Sequence, residues 1–387
     1  MMDEKTIKKA VTALFDRPLL SKEYNLLVDR ENELEHLTKI CKFQPMGIFG
    51  LCGETGIGKT TALNFLDIND TKTLHLVLTE KESKESIIGD LLYKTALAIE
   101  KEKEFKKLSE EIKSWVVEER TTTIQAQTEG NLAVISAGVS KGSSINRRFN
   151  IYEAQEKISE LFGNLKQKFG KIVLLIDELD KEDKKDVLEV LDSLKNAFMK
   201  EGLIAIISLP FSIYREYAYD RMRWNESGNL ENIFKDMVFL DPLGERDIET
   251  MLLKRLNDFP GLFSQDALKV VSRFADGNLR DALWAAQQII LEITDERTIT
   301  GKSAEKIIRT LVKNYFIYGA SLSENKKKIL KILSNEQGDK SYLVELLTKN
   351  GLKRTTAYMT IDRLTKEGLL IDRRGIIKIS GKVYYLI

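Results

Sequence analysis

The sequence predicts an α/β protein built on a buried parallel sheet, followed by an all-helical part and a C-terminal winged helix-turn-helix. Three observations predict it. Short apolar runs alternate with helical patterns through the first 240 residues, a glycine-rich turn follows the first run directly, and the last 60 residues read as three helices and a β-prone pair.

The elements follow in order. Glu4 to Phe15 is amphipathic, and in LLVDRENELEHLTKI the residues Leu34, Leu37 and Ile40 recur at helical spacing. Met46 to Leu51 is a short apolar run, and Thr61 onward (TALNFLDI) reads as the helix behind the turn. Thr73 to Leu78, Lys171 to Ile176, Leu203 to Leu209 and Val238 to Leu240 are further strand candidates of the kind buried on both faces of a parallel sheet. Between the second and third lies a long insertion, about residues 85–150. It holds a charged helical stretch from Glu85 to Glu119, then a hairpin pattern around Glu129-Gly130-Asn131. Helical segments beginning near Glu245, Ser264, Leu279 and Ser303 follow without a strand between them. The expected partition is a nucleotide domain over 1–243, a helical lid over 244–322 and a winged helix over 323–387.

Composition narrows the function classes. With 43% hydrophobic and 31% charged residues and no apolar stretch of membrane-spanning length, a globular cytoplasmic protein is expected, without membrane contact. The N-terminus, MMDEKTIKKA, lacks the apolar segment of a secretory signal. Cys41 and Cys52 form no metal-binding or disulfide pattern and read as buried small residues. The net charge of +1 conceals an asymmetry: residues 325–387 hold 14 Lys and Arg against 6 Asp and Glu, and the rest of the chain is net acidic.

Gly53-Glu54-Thr55-Gly56-Ile57-Gly58-Lys59-Thr60 satisfies GxxxxGK[ST], placed after a strand and before a helix as the motif requires. Its glycines let backbone N–H groups turn inward around phosphates, and Thr61 opens the following helix. Lys59 supplies a compact positive charge for the β- and γ-phosphates, and the Thr60 hydroxyl is a ligand for Mg²⁺. The third strand ends in Asp177 and Glu178, two carboxylates delivered to the sheet's C-terminal edge, where ligands bind in open α/β sheets. Asp177 is the candidate for the Mg²⁺ shell and Glu178 for the base that polarises attacking water. ATP and Mg²⁺ are the implied cofactors, and slow ATP hydrolysis the implied reaction.

Together with LVDRENELEHL ahead of the turn, GNLRDAL in the helical part and the final helices, these motifs resemble the AAA+ ATPases, most of all the initiator and helicase-loader group that includes archaeal origin-recognition-type proteins. The resemblance spans most of the chain. It implies that Arg280 in the lid senses the γ-phosphate, that Ser208 stands where such proteins commonly carry asparagine, and that Val28, Asp29 and Arg30 lie near the adenine. It also implies a trans-acting arginine finger among Arg215, Arg221 and Arg223, with Arg223 favoured, and hence self-association or another AAA+ subunit as partner.

In KRTTAYMTIDRLTKEG, Ala357, Ile361 and Leu364 recur at i, i+4, i+7 and face a core, which leaves Arg354, Thr355 and Tyr358 outward. With Lys353 they form a candidate recognition helix for duplex DNA, and Arg373 and Arg374 at the expected wing tip are candidates for backbone or minor-groove contact. The expected function is an ATP-dependent, DNA-associated switch in replication initiation or helicase loading. Two alternatives stand beside it: a STAND-type signalling or defence ATPase, with the same order of parts, acting through protein partners, and a transposition-helper ATPase of a mobile element.

Overall fold

The computed structural model describes residues 3–66, 68, 71–79, 83–119, 149–179, 184–222, 229–316 and 322–387. The chain forms two compact units, Arg30–Leu240 and Met1–Asp29 with Asp241–Ile387.

The first unit is a five-stranded parallel sheet in the order β2-β3-β4-β1-β5. Its strands are β1 (Gly47–Gly53), β2 (Lys72–Val77), β3 (Ile172–Asp177), β4 (Leu203–Pro210) and β5 (Phe234–Phe239). β1 and β3 are buried at every residue, as continuous apolar runs covered on both faces must be. Around them lie α2 (Glu31–Phe43), α3 (Lys59–Asn64), α4 (Lys84–Ile99), α5 (106–119), α6 (Ile151–Phe169), α7 (Lys184–Phe198), α8 (Phe211–Asp220) and α9 (Asn229–Ile233). α2 buries Leu34, Leu37, Ile40 and Cys41, which includes the stripe its spacing predicts.

Two expectations change here. The stretch from Glu85 to Glu119 is two helices, broken by a short 3-10 turn at Lys103–Phe105. The break brings α5 back against α4, where the Ser109 hydroxyl donates to the Ala96 carbonyl at 2.9 Å. The last strand begins at Phe234, earlier than the apolar run at Val238 suggests. The expected hairpin around Glu129-Gly130-Asn131 lies outside the described residues.

The second unit opens with α1 (Glu4–Ala13) and a 3-10 turn at Ser21–Leu26, and resumes with α10 (Glu245–Arg255), α11 (Gln265–Ala275), α12 (Leu279–Glu292) and α13 (Gly301–Phe316). Residues 1–29, grouped by sequence with the sheet, belong here. The apolar stripe of α1 supplies the reason: Ala10 and Leu14 are buried in one core with Ala282, Ala286, Ile289 and Ile290 of α12. Gln287 also donates to the Val11 carbonyl at 2.9 Å.

A separate core forms between α14 (Glu324–Leu333), α15 (Lys340–Lys349), α16 (Arg354–Lys366) and a small antiparallel sheet in the order β6-β8-β7. β6 (Gln337–Gly338), β7 (Leu370–Arg373) and β8 (Ile376–Ile379) make up that sheet. Ala357, Ile361 and Leu364 are fully buried, as their spacing requires. The expected final β run, by contrast, ends at Ile379, and Gly381–Tyr384 is a helical turn, α17. Tyr385, directly after it, joins the core of α10 to α13.

Candidate functional site

The turn between β1 and α3 owes its shape to two left-handed glycines, Gly56 at φ 82° and Gly58 at φ 101°. Ile57 between them is fully buried and anchors the loop from inside. Lys59 opens α3 and is 6% exposed; its ammonium donates to the carbonyls of Gly53 at 2.9 Å and Glu54 at 3.0 Å. The lysine thus curls back over the turn whose amides it shares. Thr60 is half-buried one residue on. The Arg30 side chain, 4% exposed, donates to the Ile57 carbonyl at 3.4 Å and lies 3.6 Å from Glu33. Arg30 therefore braces the turn, whereas Val28 packs against the core of the other unit.

Strand order sets the other half of the site. β4 lies between β1 and β3, pairing Leu51 with Ser208 on one side and Ile176 with Ile207 on the other. One residue beyond Ile176, Asp177 comes level with Ser208 at the C-terminal edge. At a strand spacing of about 4.8 Å, the β1 and β3 backbones stand about 10 Å apart, wide enough for a phosphate group and a hydrated cation.

Asp177 is 2% exposed; Oδ1 accepts from the Glu178 N–H at 2.8 Å, while Oδ2 has no hydrogen-bond partner among the described residues. The fully buried Ser208 hydroxyl is likewise unpartnered there. Leaving such atoms unpaired costs about 1–3 kcal/mol each, a cost native interiors rarely accept without a use. A buried carboxylate oxygen and nearby hydroxyls are the hard donors that suit magnesium. Glu178 adopts φ 72°, a left-handed conformation uncommon for a residue with a side chain, which turns the chain sharply at the strand end.

In the second unit, Asn278 caps α12 by accepting from the Asp281 N–H at 3.3 Å, and Arg280 follows in its first turn. Arg280 Nε donates to Asp16 at 2.6 Å, a partner 264 residues away that no local signal reveals. Asp16 sits in a strap held by a bidentate Arg17–Glu23 pair at 2.7 and 2.5 Å. That bond to Arg17, with help from the Leu20 N–H, lowers the Glu23 carboxyl from 4.5 to about 2. Arg255, which faces the same charges, is pulled down chiefly by burial, then by Arg17.

Of the finger candidates, Arg215 is exposed on α8, and Arg221 donates to the Tyr217 hydroxyl at 2.8 Å. Arg223 lies outside the described residues. Both cysteines are buried, and burial pushes their thiols up to about 12, so neither is a nucleophile.

On the C-terminal module, Lys353, Arg354, Thr355 and Tyr358 are exposed together at the start of α16. Arg373 and Arg374 do not join them. Arg373 donates to the Asp276 carbonyl at 2.5 Å and Arg374 pairs with Asp241, both on the helical part of the same unit. Asp276 is a further residue that sequence reasoning passed over. It ends α11 with φ 50° and receives Lys378 at 3.0 Å and the Gly381 N–H at 2.5 Å. Its signal was an Asp-Gly-Asn turn directly before Leu279, legible as a turn though not as an anchor.

No helix among the described residues is long and apolar enough to cross a membrane. The sequence profile of the KAP family P-loop domain matches residues 30–311. Among solved structures, the chain is similar to a Walker-type ATPase of Pyrococcus abyssi at 14% identity and a TM-score of 0.50, covering 96% of this chain and 98% of that one. It is also similar to the RuvB Holliday junction branch migration motor of Thermotoga maritima at 13% identity and a TM-score of 0.41, covering 96% and 97%. A comparison with curated proteins returned no match.

Proposed function

The chain belongs to the KAP family of P-loop NTPases, and from that premise we propose that it is an ATP-hydrolysing switch of AAA+ type that acts on duplex DNA through a C-terminal winged helix. The observation that carries the nucleotide half is the row across β1, β4 and β3. It sets the doubly left-handed turn that carries buried Lys59 at the same sheet edge as two buried oxygens, Asp177 Oδ2 and Ser208 Oγ, that lack hydrogen bonds among the described residues.

Each residue then has a role. The turn from Gly53 to Gly58 and the first amides of α3 bind the phosphates, with Thr61 behind them, and Lys59 draws charge from the β- and γ-oxygens. Thr60 and Asp177 would hold Mg²⁺, which neutralises phosphate charge when bound. Ser208 orients the water, and Glu178 takes its proton. Arg223 serves as the finger toward a neighbouring subunit. Arg30, already fixed on the turn, borders the adenine.

The nucleic-acid half is supported by the surplus of cations in residues 325–387 and by three helices with a small antiparallel sheet, of which α16 has an exposed face that could read a major groove. Replication initiation or helicase loading is the setting that matches the order of the parts. The test of the enzymatic claim is phosphate release from ATP by the purified chain in the presence of Mg²⁺. Release should fall to background in Lys59→Ala; activity surviving that substitution would remove the P-loop from the reaction.

A further inference from the structure

We propose that duplex DNA is met by the outward face of α16 and the turn before it, and that the wing instead docks the C-terminal module onto the helical part of its unit. The inference rests on the DNA-binding reading above and narrows it to one surface.

Pairing separates the two sets of cations. On the wing and in α17, Arg374 pairs with Asp241, Lys378 with Asp276 at 3.0 Å and Lys382 with Asp281 at 2.6 Å, while Arg373 donates to the Asp276 carbonyl. Three carboxylates on the helical side thus occupy the positions that DNA phosphates would take. Packing makes the contact close as well as charged. A Cβ on Gly381 would stand 1.8 Å from the Arg273 carbonyl oxygen, Arg273 lies over the Tyr384 ring at 4.7 Å, and the Tyr385 hydroxyl donates to the Val270 carbonyl at 3.2 Å.

The α16 side is the reverse. Lys349, Lys353, Arg354, Arg363 and Lys366 are exposed and form no ion pair among the described residues. The acids on that helix are already neutralised, Asp362 by Lys340 at 2.6 Å and Glu367 by Lys326 at 2.8 Å. What α16 offers is positive charge beside exposed Thr355, Tyr358 and Met359, a complement to phosphates and base edges together. Lys328 and Lys331 of α14 are also exposed and unpaired among the described residues, and would extend the phosphate track.

The experiment is fluorescence anisotropy of a labelled 20- to 30-base-pair duplex titrated with the full chain at two salt concentrations. Arg354→Glu with Lys366→Glu should weaken binding at least tenfold and lower the salt slope by about 2, since each lost phosphate contact releases about one counterion fewer. Arg374→Glu should leave affinity within twofold. Lys382→Asp should lower the melting temperature, and adding Asp281→Lys should recover it. Loss of DNA binding in Arg374→Glu equal to that in the α16 pair overturns the inference while the DNA-binding reading stands. An α16 pair that binds like the parent does the same. A parent chain that fails to bind duplex at 50 mM salt overturns both.

Discussion

Glu178, the base in the proposed reaction, carries a left-handed backbone. A left-handed, side-chain-bearing residue costs about 1–3 kcal/mol, and such positions gather where geometry serves a reaction. Glu178→Gln keeps size and backbone while removing the basic oxygen. ATP binding, read by equilibrium titration, should persist, and turnover should fall by about 10²- to 10⁴-fold; undiminished hydrolysis would remove Glu178 from its role as base. At this scale the sequence was legible wherever spacing encodes chemistry. The GxxxxGK[ST] pattern announced the left-handed turn at Gly56 and Gly58, and the apolar run before Asp177-Glu178 announced a buried strand; the phosphate and cation they would hold belong to the proposal. The sequence was silent wherever a partner is remote. Nothing near Arg280 announces Asp16, and nothing near Arg374 announces Asp241, since an ion pair leaves no periodic trace in either segment.

Elements were legible in proportion to their burial. The continuous apolar strands β1, β3 and β4 declared themselves, and the stripes of α2 and α16 matched the residues that are buried. The C-terminal tail did not, because Lys382-Val383-Tyr384-Tyr385-Leu386 has β-prone composition but follows Ser380-Gly381, where α17 meets α11 backbone to backbone. Gly381→Ala puts a methyl group into that contact and should cost about 1–3 kcal/mol, the range for overpacking, measured by urea denaturation. The strap after α1 carries a pH signature. Arg17 holds Glu23 at about 2, below its unfolded value of 4.5, so the pair stabilises the fold above pH 4.5 and loses that contribution as pH falls toward 2. The stability difference between the parent chain and Glu23→Gln should therefore be constant near neutrality and shrink between pH 4.5 and 2. A difference that grows on acidification would contradict the assignment.

Over the whole molecule, the division into units argues for separable responses to ligand. ATP at about a hundred times its dissociation constant should stabilise the Arg30–Leu240 unit by about 2.7 kcal/mol, visible as slower hydrogen exchange in β1, β3 and β4, and Lys59→Ala should abolish the change. Equal ATP-induced slowing in Lys59→Ala would dissociate the effect from the phosphate turn. The sequence anticipated the concentration of basic charge in residues 325–387, but it could not divide those cations into paired and unpaired sets, a division that needs three-dimensional neighbours.

The placement of α1 bears on how the chain is made. Val11 finds its partner Gln287 only after 276 further residues have been added, which at about 5–20 residues per second is a delay on the order of tens of seconds. By the end of that interval every strand of the sheet has been translated, while Ala10 and Leu14 have had no core to enter. A helix translated before every strand of the sheet thus settles after them, and its apolar side is what a chaperone working on the nascent polypeptide would meet.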